Sequence, residues 1–94
     1  MYHGTFVIER VQTGVRIEKR VLKVLKGLAE HLDLSLGDLL EGMALHCMEG
    51  KVPFSPETLE KIVLLKQVYA LDLTAADSHR LGLEIPDESE RSDG

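Results

Sequence analysis

The chain has 94 residues, 44% of them hydrophobic, with sixteen acidic and eleven basic side chains for a formal net charge of −5. Its longest apolar runs are about four residues, far short of the ~18 needed to cross a bilayer as a helix, which excludes a membrane span. A single cysteine cannot form an intramolecular disulfide, and an average charge this acidic disfavours nucleic acid as a partner.

The average conceals an asymmetry. Residues 1–31 hold six Lys or Arg (Arg10, Arg16, Lys19, Arg20, Lys23, Lys26) against Glu9, Glu18 and Glu30, a net of +3, whereas residues 32–94 carry −8. Asp87, Glu88, Glu90 and Asp93 crowd the last eight positions, so that end reads as an acidic, disordered tail. No charged leader with a small-residue cleavage site precedes the first structured segment; with the lone cysteine, this points to a reducing cytoplasm. A monomer of this size removes only about 60–68% of its unfolded surface from water, which makes a symmetric partner a natural way to complete the core.

In chain order, Thr5 to Val11 is rich in strand formers, and Val15-Arg16-Ile17-Glu18 alternates apolar with charged residues, so both stretches read as extended. Gln12-Thr13-Gly14 between them is either a hairpin turn or part of one longer strand. From Lys19 the period changes. Val21, Leu22, Val24, Leu25, Leu28, Ala29 and Leu32 recur at three- and four-residue spacings opposite Lys19, Arg20, Lys23, Lys26 and Glu30, which is an amphipathic helix.

Ser35 with Asp38 three residues later caps a second helix that carries Leu36, Leu39, Leu40, Met43, Ala44 and Cys47 and stops at Gly50. Ser55-Pro56-Glu57 opens a third, with Leu59, Ile62, Val63, Leu65, Tyr69 and Ala70, to about Leu71. Thr74 and Asp77 start a short fourth helix through Leu81, ended by Gly82. The domain organisation is therefore a core over 1–50, a helical extension over 51–83 and a tail over 84–94.

Chemistry finds little to hold on to. His46 and Cys47 are adjacent on a helix and point about 100° apart, a poor pair of ligands for one ion, and Cys47 follows Met43 and Ala44 as a buried small hydrophobe would. His3, His31 and His79 fall in separate elements, and Asp77 suits a capping box. Gly14, Gly27, Gly37, Gly42 and Gly50 form no phosphate loop. The expectation is a protein without enzymatic activity, metal or cofactor.

A lone strand of period two needs an edge to pair with. Paired antiparallel with its copy in a second chain, residues 15–18 would turn Val15 and Ile17 toward the helices and Gly14, Arg16 and Glu18 outward, and such a two-stranded ribbon fits the DNA major groove. The run Gln12 to Leu22, followed by Leu25 to Leu40, resembles the ribbon-helix-helix (Arc-like) family of dimeric DNA-binding proteins over residues 12–48. The resemblance implies a mainly α homodimer with one short strand per chain, an intermolecular two-stranded ribbon and extra C-terminal helices.

It further implies a cytoplasmic transcriptional regulator, such as a repressor, that inserts the ribbon into double-stranded DNA. Gln12, Gly14 and Arg16 would then face the bases, with Lys19, Arg20 and the Ser35, Leu36 and Gly37 turn at phosphates. Gly14 departs from the family pattern by offering no side chain where a polar reader is expected. Val15, Ile17, Leu22, Leu25, Leu28, Leu39, Leu40 and Met43 are the core or dimer-interface residues. The alternative is a protein-interaction or antitoxin-like dimer whose helices over 55–81 bind a partner protein through a patch at Leu65, Val68 or Tyr69.

Overall fold

The computed structural model describes residues 7–78. Three helices of 13 residues each follow one another: α1 (Lys19–His31), α2 (Leu36–Met48) and α3 (Pro56–Val68), with a 3-10 turn at Ala75–Asp77. α1 is the shared support. Both α2 and α3 pack against it, with no close backbone approach between α2 and α3 themselves. Leu28, Ala29 and Leu39 are the buried centre, and Leu25, Leu32, Met43, Phe54, Ile62 and Leu65 pack around them. Val24 is also buried, on the same face of α1.

The ribbon is not there. Among the described residues there is no β-strand, and residues 7–18 form neither helix nor strand. Val15, which a ribbon would turn toward the helices, is 71% exposed, and Ile17 is only half-buried. Two local effects account for the difference. The alternating stretch is only four residues long beside a glycine, too short to define a register without an edge to join. Its last residue, Glu18, is also recruited as the cap of α1, accepting from the Arg20 and Val21 amides at 2.8 and 2.9 Å. The ribbon-helix-helix architecture, its intermolecular ribbon and the DNA-reading mechanism built on that ribbon are therefore corrected to a three-helix domain.

Helix starts follow side-chain caps. Ser35 accepts from the Asp38 amide at 3.1 Å, and Ser55 accepts from the Thr58 amide at 3.2 Å ahead of Pro56. Thr74 and Asp77 form a capping box, but it opens only a 3-10 turn, and the rest of the expected fourth helix lies outside the described residues, as does the acidic tail. α3 stops at Val68, three residues before the end the sequence predicts.

All three helices stop in the same way. The amides of Leu34, Lys51 and Leu71 reach back to the carbonyls of Ala29, His46 and Lys66, each at 2.8 Å, across a left-handed residue: Asp33, Gly50 and Ala70 respectively. These are Schellman endings, in which glycine is the unstrained occupant. Ala70, at φ 52°, carries the steric cost of its Cβ, and Gly50, at φ 72°, does not. Ala70→Gly is therefore expected to stabilise the fold by about 1 kcal/mol and Gly50→Ala to destabilise it by about as much, read as opposite shifts in urea midpoint. Nothing lies within 4 Å of a Cβ built at Gly50, so its penalty is purely conformational.

Candidate protein-interaction surface

The residues expected to meet DNA are placed as follows. Gln12, Gly14 and Arg16 lie exposed on the segment that precedes α1, and Lys19 is exposed at the first turn of α1. Ser35 is occupied in capping α2, Leu36 is half-buried and Gly37 is exposed with open space around it. Arg20 is turned to another task. Its guanidinium donates to Glu18 at 3.0 Å, to Asp72 at 2.8 Å and to the Ala70 carbonyl at 3.1 Å, clipping the start of α1 to the segment that follows α3. Lys23 sits with its ammonium 5.9 Å from the centre of the Tyr69 ring. Two of the basic side chains of α1 are thus spent on α3 and its exit.

Of the expected core residues, Leu28 and Leu39 are buried, whereas Leu22, Leu25, Leu40 and Met43 are half-buried. Burial pushes the Glu18 carboxyl up, but the Val21 amide and the Arg20 guanidinium and amide outweigh it and hold it below the usual carboxylate range. A second pair fastens the segment before α1 to α2: the Arg10 guanidinium donates twice to the Glu41 carboxylate, at 3.0 and 3.1 Å, which lowers the Glu41 pKa.

The C-terminal half of α2 is exposed, Cys47 included, so the thiol is not the buried hydrophobe its spacing suggests. A gap of about 210 Å³ lies between α2 and the start of α3, with Met43, His46, Pro53, Phe54 and Thr58 in its lining. The His46 Nδ1 is 2.7 Å from the Gly42 carbonyl of its own helix. Among the described residues no three His, Cys, Asp or Glu side chains gather to hold a metal ion, and no helix is long and apolar enough to cross a membrane.

The apolar surface is disproportionate to the core. Among the described residues twelve large hydrophobics are exposed and four hydrophobics are buried. Four of the twelve belong to α3. Thr58, Ile62, Leu65 and Tyr69 occupy its less exposed side, and Leu65 meets α1 at Gly27, where a Cβ would stand 3.0 Å from its Cδ2 atom. Leu59, Val63, Leu64 and Val68 lie on the exposed side.

The patch foreseen at Leu65, Val68 and Tyr69 is therefore redistributed, since Leu65 and Tyr69 belong to the packing with α1 and Val68 alone stays outside. Sequence spacing missed the division because both sides of α3 carry aliphatics at intervals of three and four; the signal was that these positions outnumber what one face can hold. The chain matches no family model, no curated protein and no solved structure.

Proposed function

We propose that this protein is a non-catalytic protein-interaction module whose docking surface is the outer side of α3. The observation that carries the reading is the apolar content of the outer side of that helix, where Leu59, Val63, Leu64 and Val68 are between 43% and 71% exposed on either side of Glu60 and Gln67, while the other side already packs on α1. An amphipathic helix needs one apolar face to fold, and aliphatics beyond that face are what a second body would use. The lone exposed thiol of Cys47 is compatible with a reducing compartment, and we place the module in the cytoplasm.

Photo-crosslinking in cells tests the reading. Benzoylphenylalanine at position 64 is expected to give discrete protein adducts, and the same group at Lys26, exposed on α1, is expected to give none. No adduct from position 64, or the same adducts from both positions, overturns it.

A further inference from the structure

Residues 7–18, the longest described stretch outside a helix, are held at two places. At one end Glu18 caps α1, accepting from the Arg20 and Val21 amides. Eight residues earlier the Arg10 guanidinium donates twice to the Glu41 carboxylate of α2, close enough to Asp38 to be favoured by that charge as well. Val11 and Val15, between the two holds, are 81% and 71% exposed.

Glu41 heads an apolar stripe. At about 100° per residue, Leu45 and Met48 fall within about 40° of Glu41 around α2, and they are 62% and 81% exposed. The short connection over 32–35 joins the end of α1 to the start of α2, so residue 18 lies at the other end of α1, about 20 Å from that connection. With α2 packed on α1, the chain running from Arg10 back to Glu18 leaves Glu41 on the side where Leu45 and Met48 follow. We infer that residues 11–17 are a strap that closes over Leu45 and Met48, with the Arg10–Glu41 ion pair as its clasp.

The lengths agree. Residues 10–15, drawn out, cover about 16 Å, whereas Glu41 to Met48 spans about 10 Å along α2, so Val11 and Val15 bracket the two α2 side chains. Strap and stripe together hold four of the twelve exposed large hydrophobics, all outside α3. Closing removes them from water, and the clasp has already brought the ends of the loop into place. An exposed ion pair tunes such a balance by about twofold to fivefold, so the clasp sets how much of the α2 stripe stays open. The device lies within one chain and does not depend on what meets α3.

Disulfide trapping on the full chain tests the strap. Val11→Cys with Leu45→Cys, in a Cys47→Ser background, is expected to oxidise within one chain. Val11→Cys alone is expected to form no such bond with the native Cys47, which lies about 120° round α2 from Glu41. Adding Glu41→Gln is expected to slow the 11–45 bond about twofold to fivefold, and the swap of Arg10→Glu with Glu41→Arg to restore it, with the helical circular dichroism unchanged throughout. In the chain without added cysteines, trypsin cleavage after Arg16 is expected to rise by a similar factor in Glu41→Gln.

No bond between positions 11 and 45, or an equal yield between positions 11 and 47, overturns the strap. A Glu41→Gln chain whose trapping and cleavage match those of the chain with Glu41 intact, or a charge swap that stays as slow as Glu41→Gln, overturns the clasp.

Discussion

Leu28→Ala is expected to cost about 2–5 kcal/mol, a large share of the ~3–5 kcal/mol that the core of so small a domain supplies in total. Leu28 is 2% exposed and sits on the face of α1 that α2 and α3 share, so its truncation opens a cavity bordered by both neighbours at once. Urea titration followed by circular dichroism gives the number. A loss below about 1 kcal/mol would place the energetic centre of the fold elsewhere. Leu39→Ala acts on one of the two contacts only, and its smaller effect would separate the α1–α2 contribution from the whole.

The second large effect is at Gly27, and it depends on size. A methyl group there stands 3.0 Å from the Leu65 Cδ2 atom, the free end of a flexible side chain, so Gly27→Ala is close to neutral: the gain in helix propensity, about 1 kcal/mol, offsets a small shift of Leu65. Gly27→Leu has no such outlet. Its side chain occupies the volume of Leu65 and holds α3 away from α1, at a cost of about 3 kcal/mol. Denaturation midpoints of the two variants test the contrast, and a Leu variant as stable as the Ala variant would show that α3 does not pack where Gly27 meets Leu65.

Much of this was legible in the chain. The three helices, the Ser35 and Ser55 caps and the Gly50 stop follow from periodicity and from the few residues that suit helix ends. Asp33 and Ala70 were not legible as left-handed positions, because neither is glycine and the Schellman bonds that hold them exist only once the helix has formed. Glu18 was read as a ribbon residue because glutamate is uncommon as a cap; its longer side chain nevertheless reaches two amides. Nor does spacing tell Ile62 and Leu65 from Leu59 and Val63, since every one is aliphatic at helical intervals and only the neighbouring helix decides which pair turns inward. The exposure of Cys47 has a similar origin: the pattern along α2 is apolar, and the far half of that helix has nothing opposite it.

The clip at Arg20 bears on that choice. It joins residues 52 positions apart, yet the Asp72 carboxylate is largely in water, so the pair adds little to the depth of the native well. Its leverage is on the gap between two seatings that each set aliphatics against α1: α3 as observed, and α3 rolled about its long axis with its other side, Glu60 and Gln67 included, against α1. Only the observed seating brings the Ala70 carbonyl and Asp72 to the guanidinium, and the Tyr69 ring to Lys23. A few exposed charges thus add to the cost of the rolled seating that burial of Glu60 and Gln67 already imposes, and they leave Leu59, Val63, Leu64 and Val68 outside the core.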